Sequence, residues 1–265
     1  MTIPPFDLDA IRGETFVADV VYHDTLDSTN DLAHTIAADG SPDPGSPVLF
    51  LAAYQTRGRG RGSNSWHAAR GGLTFSLLLG FDNPIQPSRF PPLALATALG
   101  VSRALSSRLA EVVSDVRLKW PNDLVVNDRK ICGILVEPLR GPSPGVIIGV
   151  GVNVNNRLDP SLENHATSLA DLLGNHVPLT DLLIEILSGI EQTTGAWQNG
   201  DPTLAADWTR SCHDIDRPVV TETPRGPIEG ICRGIDSDGR LILDLPNGSR
   251  QAIASGSLHF RERQS

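Results

Sequence analysis

The 265-residue sequence predicts an α+β protein in two parts: a main sheet with covering helices over residues 1–214, then a small antiparallel β-barrel over residues 215–265. Three observations carry this. Apolar runs of strand length recur between Val48 and Val154, apolar residues at three- and four-residue spacing mark helices between and after them, and from Arg217 the pattern changes to short strands broken by turn residues. At 40% apolar and 20% charged residues, the chain has the composition of a globular protein with a sizeable core.

Asp27-Ser28-Thr29-Asn30 supplies capping side chains to a short helix with apolar positions Leu32, Ala33, Ile36 and Ala37, and Gly40 to Pro47 ends it. Val48 to Tyr54 is a continuous apolar run and reads as a buried strand. A second one, Leu73 to Leu79, follows an Arg/Gly loop and the Gly71-Gly72 break. After Pro91-Pro92, Leu95, Ala98, Val101, Leu105 and Leu109 step along one helical face, so this is a core helix. Val116 to Trp120, Leu124 to Val126, Lys130 to Val136 and Val146 to Val154 read as strands of the main sheet, with Asn127-Asp128 as a hairpin turn. Leu183, Ile186, Leu187, Ile190 and Trp197 define a covering helix, and Leu204 to Cys212 another. The barrel strands are Pro218 to Thr221, Ile228 to Ile235, Leu241 to Leu245 and Gln251 to Ala254, with Asp238-Gly239 and Asn247-Gly248 as turns.

Composition excludes several classes. A formal net charge of −9 repels phosphate backbones, so extended nucleic-acid binding is not expected. The most apolar stretch, Leu93 to Leu109, is interrupted by Ser102, Arg103 and Ser106 to Arg108, so no membrane span is expected. Cys132, Cys212 and Cys232 are too scattered for a disulfide framework or zinc cage, the seven histidines have no metal-ligand spacing, and no secretion leader opens the chain. The expected compartment is the cytoplasm, with no protein-only metal site.

The chemistry concentrates in two stretches. Gln55-Thr56-Arg57-Gly58-Arg59-Gly60-Arg61-Gly62 alternates guanidinium forks with glycines, so the backbone can fold closely around a phosphate. Lys119-Trp120-Pro121-Asn122-Asp123 and Lys130-Ile131-Cys132-Gly133-Ile134-Leu135 add a fixed cation at the start of a strand and a turn with polar side chains. Each stretch alone has an ordinary reading: a hydrophilic loop, a Pro-Asn-Asp turn, a solvated hairpin lysine, a helix cap at Ser28.

Taken in order, Asp27 to Asn30, Tyr54-Gln55 leading into Gly58 to Arg61, Trp66, Lys119 to Asp123, Lys130 to Leu135 and Gly149 to Asn153 resemble the biotin protein ligases over roughly residues 24 to 260. The resemblance implies a mixed-sheet catalytic domain of the biotin/lipoate protein ligase type with an SH3-like terminal barrel. It also implies a two-step activity, in which ATP converts biotin to biotinyl-AMP and biotin then passes to one lysine of a biotin carboxyl carrier domain of a carboxylase. ATP with magnesium is the expected substrate complex, biotin the second substrate, and no prosthetic group is implied. Lys130, Arg59, Arg61 and Asp123 are the expected catalytic residues. Biotin is assigned to Ser28, Thr29, Asn30, Gln55, Arg59, Gly60, Arg61, Gly72, Lys130, Gly133 and Leu135. ATP and the adenylate are assigned to Arg61, Trp66, Asn122, Asp123, Lys130, Asn153 and Ala166. Asp123 either orients magnesium-bound ATP or accepts the acceptor lysine's proton, and Trp120 is either core or site.

A cation between carboxylate and α-phosphate suits adenylate formation, and a glycine-rich lid that orders over its ligand would shelter a hydrolysable anhydride. The sequence departs from the family in having Arg57 before the Gly-Arg-Gly-Arg run, Gly62 to Ser65 after it, and Cys132 where alanine is common. Only about two dozen residues precede Asp24, too few for the operator-binding helices of some relatives, so DNA binding is not expected. A lipoate or octanoate ligase and a non-catalytic biotin or nucleotide sensor are the alternatives. Oligomeric state is not legible.

Overall fold

The computed structural model describes residues 5–38, 46–112, 115–139 and 144–260. In chain order the elements are α1 (Leu8–Glu14), β1 (Asp19–Leu26), α2 (Thr29–Ala38), β2 (Val48–Gln55), β3 (Leu73–Gly80), α3 (Phe90–Leu109), β4 (Arg117–Lys119), β5 (Asp123–Val126), β6 (Arg129–Pro138), β7 (Gly145–Val152), α4 (Leu169–Leu173), α5 (Leu179–Gln198), α6 (Thr203–Arg210), and β8 to β12 (Pro218–Thr223, Gly226–Ile235, Leu241–Asp244, Arg250–Ile253, Ser257–Phe260). The helix break expected over Gly40 to Pro47 lies mostly outside the described residues.

The main sheet has the order β1-β2-β3-β7-β6-β5-β4. Only β1 and β2 pair in parallel, so the sheet is mixed as the resemblance implies. Strand periodicity assigns alternate residues of β2 to opposite faces. Leu49 and Leu51 share a core with Leu99, Leu105, Leu183 and Ile186 of α3 and α5, whereas Val48 and Phe50 join Ala33 and Ala37 of α2 with Leu78 and Ile147. Burial on both faces explains why β2 and β3 read as unbroken apolar runs rather than alternating ones. Asn127 and Asp128 both take positive φ, 50° and 61°, and turn β5 into β6 as their residue types predict.

Pro91 and Pro92 open α3, where a missing N–H breaks no bond. More of this helix is buried than one face, because α5 crosses it closely. Gly100 and Gly189 meet at the crossing: a Cβ on Gly100 would lie 2.5 Å from the Gly189 carbonyl oxygen.

Four elements have no counterpart in the sequence expectations: α1, β1, α4 and β12. β1 is an edge strand with an irregular, mostly exposed pattern, which carries little hydrophobic signal.

The second sheet is antiparallel throughout, in the order β11-β10-β9-β8-β12. It shares one apolar core with the main sheet, running from Leu95 and Trp120 to Leu241 and Leu243. Trp120 is core rather than site: it is buried, and its Nε1 donates to the Gly239 carbonyl at 3.2 Å. Just before the second sheet, His213 ties the chain to the β5–β6 turn, its ring nitrogens 2.9 Å from Asp214 and 2.7 Å from Asp128. Among the described residues no helix is long and apolar enough to cross a membrane.

Gly100→Ala should force α3 and α5 apart and destabilise the fold by about 1–3 kcal/mol. On the same helix pair, Gly195→Ala meets no atom within 4 Å and should stabilise by up to ~1 kcal/mol. Urea unfolding midpoints of the two variants should therefore move in opposite directions.

Candidate functional site

The site lies on the sheet face where β3, β7 and β6 run side by side. Thr74 pairs with Gly151 and Ser76 with Gly149 across β3 and β7; Gly151 pairs with Gly133 and Gly149 with Leu135 across β7 and β6. Period-two alternation therefore puts three glycines together on one face. What rests on them needs that bareness. A Cβ on Gly151 would fall 2.2 Å from Cε2 of Trp66, one on Gly149 2.3 Å from Oδ1 of Asn30, and one on Gly133 3.2 Å from Nζ of Lys130.

The rim comes from three directions. The N-terminus of α2 supplies Ser28, Thr29 and Asn30, all buried. Gln55, at the end of β2, accepts the Thr29 N–H on its Oε1 at 2.6 Å, which fixes its side chain and leaves Nε2 for another acceptor. The Arg/Gly loop forms a lid and is folded: Arg59 bridges Ser65, Gly60 N donates to Asn64 O at 2.8 Å, and Trp66 N donates to Gly58 O at 2.9 Å. From the far side, Asn122 is locked to β6 by Nδ2 donating to Ile134 O at 2.6 Å. Asp123 lies 2.7 Å from Nζ of Lys130.

Lys130 is placed by its backbone. Its N–H donates to His165 O at 2.8 Å, and its carbonyl accepts from Thr167 N at 2.9 Å, so the 165–167 segment clamps the start of β6. Its ammonium stands 5.7 Å from the centre of the Trp66 ring. Trp66 and Lys130 together form the partition between two cavities.

On one side, Ser28, Thr29, Asn30, Gln55, Arg59, Gly60, Arg61, Asn122, Asp123, Gly133 and Leu135 line a narrow space of ≈ 100 Å³. On the other, Asn153, Ala166, Leu158, Leu162 and His165 line one of ≈ 390 Å³. Of the residues read for ATP and the adenylate only Asn153 and Ala166 lie on the second side alone; Arg61, Asn122 and Asp123 line the first with the biotin set, and Trp66 and Lys130 border both. Gly72 is absent from both linings. It packs in the turn before β3, where a Cβ would lie 3.1 Å from Ala69 O and 3.2 Å from Asn156 Oδ1.

The two lid arginines differ in environment. Arg59 is engaged at both ends, Nη1 with Asp31 at 2.6 Å and Nη2 with Glu137. Arg61 makes no ion pair among the described residues; its Nη2 donates to the Gly256 carbonyl at 2.7 Å, and burial lowers its pKa against the opposing pull of Asp123. Cys132 is fully buried, and burial pushes its thiol well above the usual range, so it is an inert core residue rather than a reactive one. No cluster of three or more His, Cys, Asp or Glu able to hold a metal ion occurs among the described residues.

Sequence reasoning missed Glu137, Asp31, Thr74 and Ser76. Ser76 donates to Asn30 Oδ1 and lies 2.7 Å from the Thr29 hydroxyl. Glu137 accepts from Asn30 Nδ2 at 2.8 Å and from Arg59. A carboxylate closing the apolar run Ile134 to Val136 was the one local signal; its partners lie 107 and 78 residues away.

Residues 22–153 match the Biotin/lipoate A/B protein ligase family, and residues 214–261 match the Biotin protein ligase C terminal domain. A biotin--[acetyl-CoA-carboxylase] ligase of Mycobacterium tuberculosis is 33% identical over 270 residues, covering 97% of each chain. The bifunctional ligase/repressor BirA of Bacillus subtilis is 32% identical over 252 residues, covering 92% of this chain and 75% of its own. Among solved structures, a biotin protein ligase from Aquifex aeolicus in complex with biotin and ATP superposes with a TM-score of 0.77 at 26% identity, covering 92% of this chain and 98% of the other.

Burial pushes the Glu137 carboxyl up, but the attractions of His34, Asn30 and Arg59 outweigh it and bring its pKa from 4.5 to about 2. A depressed carboxylate contributes stability that is present above its unfolded value and is lost as pH falls through the folded one. Unfolding free energy should therefore drop between about pH 5 and pH 2 by up to about 3 kcal/mol more in the parent than in Glu137→Gln, measured by urea unfolding across that range.

Proposed function

The chain belongs to the biotin protein ligase family, and we propose that the two cavities divided by Trp66 and Lys130 are where it carries out that family's reaction. It activates biotin with ATP to biotinyl-5′-AMP, releasing pyrophosphate, and transfers biotin to a lysine of a biotin carboxyl carrier domain of a carboxylase. The observation that carries the assignment of parts is the position of the Lys130 ammonium, on the partition between a polar-rimmed space and a larger one.

Biotin is an apolar bicycle with a urea head and a valerate tail. Its urea needs both donors and acceptors, which Ser28, Thr29, Asn30 and the free end of Gln55 supply, while Leu135 and the glycine face offer a flat dry wall. The space of ≈ 100 Å³ is well below the ~300 Å³ at the lower end for ligand pockets. Entry therefore requires the lid and Trp66 to lift. Adenosine belongs on the Asn153 and Ala166 side, with Trp66 as its aromatic face.

In the first step a biotin carboxylate oxygen attacks the α-phosphorus of ATP; the P–O bond to the leaving group breaks, and pyrophosphate departs with the electron pair. Negative charge builds on the α-phosphate oxygens between the two cavities. Lys130 stands at that place, and Arg61, which forms no ion pair among the described residues, is the lid cation available to it. Asp123 holds Lys130 on the partition and is the acidic group near the magnesium that accompanies ATP as substrate. In the second step the acceptor amine attacks the carbonyl carbon, the acyl C–O bond to the phosphate breaks, AMP leaves with the electron pair, and the amine's proton passes to Asp123 or to solvent as the amide forms. The named groups all lie within residues 1–214, and residues 215–265 contribute the Gly256 carbonyl that holds Arg61. A reaction supplied with ATP and a carboxylase carrier fits the cytoplasm.

Lys130→Ala should lower biotin-dependent pyrophosphate release by at least about 100-fold and remove the biotin mass increment from a carrier domain incubated with the protein, biotin, magnesium and ATP. Lipoate in place of biotin should give no increment with the parent protein. An undiminished increment with Lys130→Ala would overturn the role given to this residue.

A further inference from the structure

Glu137 lies at the far end of β6 from Lys130 and faces the root of the lid. Its side chain is only 15% exposed, and its two oxygens are divided between two groups that the ligase reading uses. Oε2 accepts from Asn30 Nδ2 at 2.8 Å, and Oε1 accepts from Arg59 Nη2. The other end of the Asn30 amide accepts from Ser76. An amide held by a donor at one end and a carboxylate at the other has one orientation, because a flip would set its oxygen against the carboxylate and its NH2 against the donor.

Arg59 is held in the same way. Asp31 takes Nη1 at 2.6 Å from the α2 side and Glu137 takes Nη2 from β6, so its guanidinium ties the first residues of the lid to two rigid elements. A phosphate would have to displace two carboxylates to engage it, whereas Arg61 would leave only a backbone carbonyl. His34, on the next turn of α2, stays 3.6 Å from Oε2, beyond hydrogen-bond length, so Asn30 and Arg59 are the close partners.

We propose that Glu137 is a positioning residue of the biotin side: it orients the Asn30 amide toward the bicycle and anchors Arg59 as the fixed root of the lid, leaving Arg61 as the arginine that reaches the adenylate. This inference rests on the ligase reading and assigns the two lid arginines different work. Arg59 acts through the lid's position, and Arg61 acts on the ligand.

Glu137→Gln keeps the shape but leaves one acceptor oxygen for two donors and removes the charge that faces Arg59. With parent and variant compared by biotin-dependent pyrophosphate bursts, KM for biotin should rise about tenfold, the value for one lost charge-assisted partner, and bound biotinyl-AMP should escape faster. The burst rate at saturating biotin should stay within about threefold of the parent. The burst amplitude counts the folded fraction, so a merely structural defect would lower amplitude and leave KM alone. Asp31→Asn removes the exposed half of the clamp without touching Asn30, and should speed biotinyl-AMP escape with a smaller effect on KM.

The proposal is overturned if Glu137→Gln leaves both KM and adenylate lifetime within twofold of the parent, or lowers the burst rate with KM unchanged. If Glu137→Gln does not fold, an unchanged adenylate lifetime in Asp31→Asn overturns it. A parent protein without biotin-dependent pyrophosphate release would instead refute the ligase reading itself.

Discussion

The structure depends on a patch of sheet that carries no side chains. Gly149 and Gly151 bring their backbone into contact with Asn30 and Trp66 at distances a single methyl group would forbid, and Gly133 on the neighbouring strand lies close under Lys130. Everything else about the site follows from what can lie flat there. An indole ring rests on it and divides the space, an amide rests on it and takes its orientation from neighbours, and a lysine leans across its edge. One core layer backs this patch from the reverse face of the sheet, and the layer under α2 borders it on the same face, so the patch is held from two directions.

Electrostatics is arranged locally against an acidic whole. With a net charge of −9 the chain has no general attraction for phosphates, and most of its arginines are spent on carboxylate neighbours at the surface, where such pairs contribute little to stability. The site cations are treated differently from one another. Among the described residues Lys130 has one acidic partner, Arg59 has two, and Arg61 has a neutral one. That gradation distinguishes the three cations by environment, although all three come from motifs that look uniformly basic in the sequence.

Much of this was legible before the structure. Long apolar runs gave β2, β3, β6 and β7, the three- and four-residue spacing gave α3 and α5, and Asn127-Asp128 gave its hairpin, because each signal is local and repeated. The residues assigned to the ligands were read from their order along the chain, and all but Gly72 line one or both of the two cavities. What was hidden was pairing across distance. Glu137 looks like the polar end of a strand until Asn30 and Arg59 are seen beside it, and Ser76 looks like an interruption in an apolar run until the α2 N-terminus covers it. β1 was hidden for the opposite reason, since an exposed edge has no periodicity to read.

The latch between Arg61 and the Gly256 carbonyl is uncharged on the acceptor side. A carboxylate in that position would bind the guanidinium more strongly and would be left desolvated and unpaired whenever the arginine turned to a phosphate, opposing the change. The half-buried peptide oxygen of Gly256 loses only a neutral acceptor's bond when the arginine leaves, a cost of about 1 kcal/mol. On the ligase reading proposed above, the terminal sheet thus gives Arg61 a neutral resting partner whose loss costs less than that of a carboxylate when an anion arrives.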